Sequence, residues 1–526
     1  MSVLRRLRAP QHDLAVFAEP PLGEADTLLA ANRERLADSG VEIVGRPLAG
    51  LRQEARAQII AAARQYLEEA GEPVPISNDG PLFVAGHQPE LFHPGVWVKS
   101  FALAGMAGRH RGASINLIVD HDTAKHTALR MPSVASPTEA HIVTVPFDRW
   151  ASEVPYEERS VQDEDQFASF PERAEAVYQD WTFDPLLPVF WAEVLRHSQR
   201  TPLLGERFAA ARRSCERDWG CHNFELPLSR LCGTEAFAWF ACHVLIELER
   251  FHKIYNDAVH GYRRRYGIRS RHHPVPDLTT EGEWRETPFW AWRSRQSRRG
   301  RLLARSTPDR LELRVGDERW PTLPGEDKST IAAWQELEGQ GYKVRSRALT
   351  TTLFARLFLA DLFVHGIGGA KYDELTDEII HEFFGAEPPR FLVLSATVLL
   401  PFPSFHVRPE LCRQLTSELR DLHYNPQRHL GNGEVTDSTI AELAAAKQAW
   451  IAQEPLDHRG RRERFEALRN LTDRLRSYVA DREKAAQQKL SQCAKELQAN
   501  AVLQRRDYAF CLYAEEKLRP FCGKFL

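Results

Sequence analysis

Between Leu51 and Ala70 apolar residues recur at helical steps among Ala, Arg, Gln and Glu, and Gly71-Glu72-Pro73 follows. This spacing predicts a helix stopped by the Gly and Pro, and residues 1–75 read as mostly helical. The pattern then changes. Pro81–Ala85 is a short apolar run, read as a strand, and the polar loop Gly86-His87-Gln88-Pro89-Glu90-Leu91-Phe92-His93-Pro94-Gly95 follows it. Val96–Gly108 reads as a helix with Trp97, Phe101 and Leu103 available for burial. Ser114–Val119 reads as a second strand, ending directly in Asp120-His121-Asp122, and His141–Val145 as a third. A strand, a helical crossover and a strand within about 35 residues is the size of a βαβ unit. Such a unit is right-handed and leaves its strands parallel, with their carboxyl ends on one edge. Open α/β sheets bind ligands at that edge. The Gly86–Gly95 loop and Asp120–Asp122 are therefore expected to face one crevice.

Residues 149–340 differ in character. They hold most of the Trp, an apolar helix near Phe237–Phe251, a basic run from Arg263 to Arg271, and a small hairpin read at Leu311–Val315 and Trp320–Leu323. This region reads as a largely helical insertion or second lobe. The α/β signal resumes over 341–436. Leu349–Val364 reads as helix, Gly366-Ile367-Gly368-Gly369 breaks it, and Asp373–Phe384 is helical again. Phe391–Leu400 fits a buried strand or a helix segment, which periodicity alone does not separate. Residues 437–526 read as almost entirely helical. Phe465, Leu468, Leu471, Leu475, Val479, Ala486, Leu490, Cys493 and Leu497 form an interrupted heptad-like stripe there, as in a long antiparallel hairpin or a coiled coil. The division expected is thus 1–148 and 341–436 as two parts of one α/β core, 149–340 as the insertion, and 437–526 as a C-terminal long-helix region.

Composition narrows the class. At about 150 residues per domain, 526 residues suggest roughly three folding units. Hydrophobic residues at 43% and charged residues at 27% are those of an ordinary globular chain, which excludes wholesale disorder or a disulfide-stapled miniature. Lys+Arg 69 against Asp+Glu 72 leaves no basic excess to drive nucleic-acid binding. The apolar stretches Ala236–Ile246 and Phe391–Phe402 are too short to span a bilayer, and no apolar run follows Arg5, Arg6 and Arg8 as a secretory leader requires. The eight cysteines form no C-x-x-C pair and read as reduced thiols, so the protein is expected in the cytoplasm.

Three constellations carry chemistry. Gly86, His87 and Gln88 with His93, Gly95 and Lys99 join glycines to the amino end of a helix, where an anion finds free N–H groups, a partial positive charge and the Lys99 ammonium. The bland alternative is a Pro-ordered turn with two solvated histidines. Asp120, His121 and Asp122, with Lys125 and His126 behind them, can bind an amine, hold Mg2+ or supply a general base, or simply form a strand-end turn. His365, Gly366, Gly368, Gly369, Lys371 and Tyr372 form a glycine-rich turn fit for close ligand approach, or a helix C-cap followed by an N-cap. Arg345, Arg347 and Arg356 lie upstream as clamps for phosphate or carboxylate. Cys215, Cys221, His222, Cys232, Cys242 and His243 have zinc chemistry but no standard finger spacing. Trp284, Trp290 and Trp292 read as core or as pocket lining beside Arg285 and Arg293. No G-x-S-x-G elbow supports a serine triad.

The loop Gly86–Gly95 followed by Lys99 resembles the opening motif of the bacillithiol synthase family, G-Q-Q, then T-G-P, then a helical Lys. Asp120-His121-Asp122 is similar to its E-D-H-D element, Gly366–Tyr372 to its G-G-P-x-E-x-x-Y segment, and Asn500-Ala501-Val502-Leu503-Gln504-Arg505-Arg506 to its P-N-x-x-L-Q-E-R signature. Order, spacing and length agree over most of the chain. His87 stands in place of Gln, His93 of Thr, Val119 of Glu and Thr123 of Phe, and Gly369-Ala370 interrupt the third motif. The resemblance implies a Rossmann-like core, helical connecting insertions, a C-terminal coiled coil that pairs subunits into a homodimer, nucleotide (ADP or ATP) binding, and a ligase that joins the carboxyl of cysteine to the amine of an amino-sugar conjugate.

The leading expectation is therefore an amide-forming α/β enzyme acting on a small molecule. Asp120 and Asp122 orient the amine or hold a metal, His121 or His87 removes its proton, and Lys99, Arg347 and the glycine turns bind phosphate or carboxylate. Two alternatives stand beside it. One is a metal-dependent hydrolase using His87, His93, Asp120, Asp122 and His126. The other is a non-catalytic, dimeric partner-binding protein.

Overall fold

Val, Leu, Ile and Phe crowd six short segments, one of which, Phe391–Thr397, is buried at every position. Strands so apolar on both faces belong in a sheet covered on both sides. The computed structural model describes residues 7–37, 39–294, 298–325, 327–430 and 438–526. In it these segments form one sheet: β1 (Ala15–Glu19), β2 (Leu82–His87), β3 (Ala113–Ile118), β4 (Phe224–Pro227), β5 (Leu362–His365) and β6 (Phe391–Thr397). Their spatial order is β1-β6-β5-β2-β3-β4. All neighbours are parallel except β1, which runs antiparallel to β6 at the edge. From β2 the chain winds outward to β3 and β4, then returns to β5 and winds the other way to β6. The direction of winding reverses between β2 and β5, where an open sheet leaves a crevice at its carboxyl edge.

Five helices in this unit matter to the argument: α1 (Leu48–Glu69), α2 (Pro94–His110), α3 (Leu204–Asp218), α4 (Glu235–Ile246) and α5 (Ile367–Ile379). Leu82, Val84, Ile115, Leu117, Leu226 and Val393 share one continuous core with α1 and α4. Phe83 and Ala85, the alternate residues of β2, are buried on the opposite face. The helix α2 lies across β2, β3 and β6. Beneath β4 lies a buried ion network. Glu225 accepts from Arg212 at 2.5 Å, Arg213 at 2.7 Å and Asn116 at 2.5 Å. Arg212 also reaches Glu216 at 2.7 Å, and Glu216 accepts from the buried Trp97 indole at 2.7 Å.

The chain divides into two units, an α/β unit made by residues up to Met131, Thr144–Leu399 and Arg506–Leu526, and a second made by Pro132–Val143 and Leu400–Arg505. This differs from the expected division. The core ends at Leu399 rather than 436, the helical unit begins there rather than at 437, and the last residues return to the α/β unit. Residues 431–437, which both expected boundaries touch, lie outside the described residues, as do Arg5 and Arg6.

Three local readings change. The sheet's third strand by sequence, His141–Val145, belongs instead to a separate hairpin in which Glu139–Pro146 pairs with Ala128–Ser136. Its place in the sheet is taken by β4, only four residues long. Leu349–Val364 is helical to Phe354, continues as a wide π turn over Ala355–Leu359, and is extended from Leu362. The change is anchored from outside: Arg52 donates to the carbonyls of Leu357 and Ala360, Arg56 to that of Leu359, and Asp361 accepts from the Leu82 N–H. Lastly, the insertion is helical over much of 164–266, as expected, but it also carries a sheet that the reading lacked. Trp284–Arg293, Gly300–Ser306, Arg310–Val315 and Tyr342–Ser346 form the body of a seven-stranded antiparallel sheet, and the expected small hairpin is one edge of it.

In the second unit α6 (Pro409–Tyr424), α7 (Ser438–Ala452) and α8 (His458–Leu503) pack together. At about 1.5 Å per residue the 46 residues of α8 extend about 70 Å. The middle of its stripe is covered by its own chain: Val479 and Ala486 pack on Leu422, and Leu475 on Ile440 and Leu443. Antiparallel packing also corrects the reading of eight reduced thiols. Cys412 of α6 and Cys493 of α8, with Cα atoms 6.0 Å apart, form a disulfide, while the other six cysteines are free and buried. Removing this bridge with a reductant, or by Cys412→Ser, is expected to cost about 2–4 kcal/mol of the helical unit's stability. The readout is the urea midpoint followed by helical circular dichroism; a midpoint indifferent to reductant would mean that the thiols are not linked.

Candidate functional site

The crevice at the reversal between β2 and β5 is a cleft of about 1220 Å3 within the α/β unit. Four segments supply most of the expected residues. Gly86, His87 and Gln88 come from the end of β2, and His93, Gly95 and Lys99 from the start of α2. His121 and Asp122 follow β3. His365 and Gly366 close β5, and Gly368, Gly369, Lys371 and Tyr372 open α5. Arg347 enters from beside the antiparallel sheet. The glycine run thus begins a helix rather than breaking one, with Gly366 at its N-cap.

Asp120 is the exception. Its carboxylate accepts from the backbone N–H and the hydroxyl of Ser229 and lines a separate cavity of about 640 Å3 with Glu157, Lys343 and Arg345. Residues 120–122 lie in the turn after β3, where Asp120 bonds to Ser229 while Asp122 bonds to Gln88 and Arg299, so the two carboxylates do not converge on one amine or metal. Burial and the Glu157 carboxylate push Asp120 up to about 7.

The proton-accepting roles also change. Burial, helped by the Lys99 ammonium, lowers His87 to about 3, and burial lowers His93 and His121 to about 4. These rings are neutral at pH 7 but are weak bases, because proton-accepting power falls with pKa. The Gln88 carbonyl accepts from His87 Nδ1 at 3.1 Å, which fixes that ring's tautomer. Lys99 is lowered to about 8 by burial and donates to the Gly86 carbonyl at 3.1 Å.

Charge in the cleft is one-sided. Among the described residues Arg8, Lys99, Arg299, Arg347, Lys371 and Arg506 line it, against the single carboxylate of Asp122. Asp122 itself accepts from Gln88 at 3.0 Å and from Arg299 at 3.1 Å, and these bonds hold it below the usual carboxylate range. Arg347 donates to Glu286 at 2.7 Å through Nη1, while its Nε and Nη2 are buried with no partner among the described residues. Arg506 Nε and the Nδ1 atoms of His93 and His121 stand likewise. The guanidinium groups of Arg347 and Arg299 lie 4.2 and 4.7 Å from the centroid of the Trp290 ring. Of the three tryptophans read as core or pocket, Trp290 lines the cleft.

The glycines serve different ends. A Cβ at Gly95 would stand 2.1 Å from the Ala396 carbonyl and 2.6 Å from Arg506 Nη2, so only glycine lets α2 start against the end of β6. At Gly366 and Gly368 a Cβ would meet nothing within 4 Å. Packing does not demand glycine there, and its effect is to leave the first N–H groups of α5 bare toward the cleft.

These donors fit phosphate or carboxylate groups, and hence a nucleotide. They do not fit a resident Mg2+, to which the cleft offers a single carboxylate among the described residues. Among the described residues no group of three His, Cys, Asp or Glu is placed to hold a metal. His126 is exposed, and Cys215, Cys221, Cys232 and Cys242 are buried as free thiols.

Arg299, Tyr255 and Arg8 line the cleft without having been singled out. Arg299 is one of a run of arginines with no distinguishing pattern. Arg506, which donates to Ser395 Oγ at 3.0 Å and the Ala396 carbonyl at 2.8 Å, did carry a signal, as the last residue of the Asn500–Arg506 segment. No family model matches the chain, and no curated protein matches it.

Proposed function

We propose that the protein is a ligase of the bacillithiol-synthase kind, joining an amino-acid carboxyl, with cysteine the first candidate, to the amine of a small molecule such as an amino-sugar conjugate. The observation that carries this reading is the one-sided charge of the cleft at the sheet's reversal point, with unpartnered Arg347 donors and the bare start of α5 inside it. An activated carboxyl donor and a nucleotide are both anionic, and such a site lowers the cost of holding them. The parallel order β6-β5-β2-β3-β4 supports a Rossmann-like core, and the resemblance of the four motifs supplies the reaction class. Arg347, Arg506, Lys99 and Lys371 bind the anionic groups, and Asp122, steadied by Gln88 and Arg299, takes the amine.

The homodimer implied by the resemblance is supported by Leu456 and Phe465, large apolar side chains exposed in and beside α8. No described helix is long and apolar enough to cross a membrane. The hydrolase alternative is not carried forward, because Asp120 and His126 stand away from His87, His93 and Asp122.

The test is a thermal-shift and calorimetric screen with ADP, ATP, cysteine and glucosaminyl malate. A ligand at a hundred times its Kd adds about 2.7 kcal/mol to stability, enough to shift the transition clearly. Arg347→Ala is expected to weaken ADP binding about tenfold to a hundredfold, the worth of hydrogen bonds to a charged group. No shift with any of the four compounds would sink the ligase reading.

A further inference from the structure

We propose that His365 and Asp373 are the proton-transfer pair of the cleft, His365 Nδ1 taking the proton that the amine nucleophile gives up. The assignment rests on the amide-forming reading above and goes beyond it. It also replaces the expected roles of His87 and His121.

His365 is the last residue of β5, beside the reversal point. Its Nε2 lies 2.9 Å from Asp373 Oδ2. Asp373 is fully buried on α5, and Arg356, also fully buried, donates to the same oxygen at 2.6 Å. Arg356 is in turn held by Asp377 and the Pro389 carbonyl. The Asp373 carboxylate therefore has a fixed position and, kept ionised by Arg356 and His365, can only accept. The hydrogen of the neutral imidazole must sit on Nε2, and the lone pair on Nδ1. The ring is also packed, with the centroids of Phe363 and Phe391 at 4.5 and 4.9 Å.

Gly369 completes the arrangement. A Cβ there would stand 2.6 Å from Nδ1, so any other residue would crowd that atom. Among the described residues, His365 is the cleft histidine whose ring nitrogen meets a carboxylate. His87 is bonded to a carbonyl, and His93 and His121 have an unpartnered Nδ1. An imidazolium formed on His365 would meet the Asp373 charge at once, which is how a carboxylate behind a histidine favours proton transfer.

In the step itself the acyl donor is a carboxyl activated by a nucleoside triphosphate as a mixed phosphoric anhydride. The amine nitrogen attacks the acyl carbon with its lone pair, and the carbon–oxygen bond to phosphate breaks with its electrons. The nitrogen's surplus N–H bond breaks toward Nδ1, leaving that electron pair on the nitrogen of the new amide. The proton then leaves His365 for the departing phosphate or for water.

The test uses diethyl pyrocarbonate, an activated acyl compound that reacts with unprotonated imidazole nitrogen, on the full chain, with each histidine followed by peptide mass spectrometry. His365 is expected to be modified at least about tenfold faster than His87 and His93, since the Asp373 carboxylate behind its ring stabilises the positive charge that develops as Nδ1 attacks. Asp373→Asn removes the charge and frees the tautomer, and should slow the His365 reaction by about fivefold or more on the same grounds. A buried structural pair predicts otherwise: His365 untouched while the others react, or an unchanged rate in Asp373→Asn, would overturn the proposal. Should Asp373→Asn fail to fold, the wild-type rate against pH decides. A rise through one protonation step supports the pair, and a flat profile overturns it. ADP binding is measured on the same preparations. A reactive His365 in a protein that binds no ADP, amino acid or amino sugar would remove the ligase reading and leave the pair standing.

Discussion

Replacing Glu225 with alanine is expected to lower the stability of the α/β unit by about 3–5 kcal/mol, the usual cost of removing one partner from a buried ion pair. Glu225 is fully buried and sits on an edge strand of only four residues. Its two oxygens face Arg212 and Arg213, whose side chains are themselves buried. The alanine variant would leave Arg212 with Glu216 and Arg213 with Glu72, each having lost half its compensation, and would strand the Asn116 amide as well. Glutamine keeps the shape but not the charge, so Glu225→Gln should fall between alanine and wild type. The readout is the urea midpoint of the α/β transition. A loss under about 1 kcal/mol would place this pair with ordinary surface bridges and refute the burial argument.

Acid should unfold the protein early, and the sign follows from which state binds more protons. His87, His93, His121 and His243 have pKa values lowered by burial to about 3, 4, 4 and 4, against 6.5 for a free imidazole. Below pH 6.5 the unfolded chain takes up protons at these rings and the folded chain does not. Each ring therefore withdraws on the order of 1.4 kcal/mol per pH unit, down to its folded value. Asp120 works in the opposite sense. Its carboxyl, at about 7 against 3.8, is protonated in the folded state first, so its contribution is present at low pH and is lost as pH rises through 7. Four rings outweigh one carboxyl, and the melting temperature should drop steadily from pH 6.5 to 5. His121→Asn removes one proton from the difference and should flatten that slope. A melting temperature level across this range would show that the rings are hydrated rather than buried neutral.

The sheet's first half was legible because β2, α2 and β3 are local. Each is marked by an apolar run with a polar boundary, and a crossover of that length admits one handedness. From this the convergence of Gly86–Lys99 with His121 and Asp122 on one cleft follows without further information. What lay beyond the sequence was decided by distant partners. β4 has four residues, too few to show a period, and its Glu225 meets the two arginines of α3 only in the fold. β5 follows a run that reads as helix until Arg52 and Arg56, some 300 positions away, take up the carbonyls that end it. Asp120 has the same local pattern as Asp122, and only Ser229 shows that it faces the other way. Asp373 was likewise hidden, since nothing in an eight-residue separation from His365 says that the helix turns its carboxylate back onto the ring.

The pairing of β1 with β6 sets a schedule for synthesis. Glu19 leaves the ribosome long before Val393, its partner across the sheet edge, exists. At about 5–20 residues per second the wait is roughly 20–70 s. Through that time β1 can find no native neighbour, and β6 stays open on its far side until β1 folds back. A nascent chain stalled before Phe391 would therefore expose an apolar sheet edge, the kind of surface that chaperones hold and neighbouring polysome chains can capture.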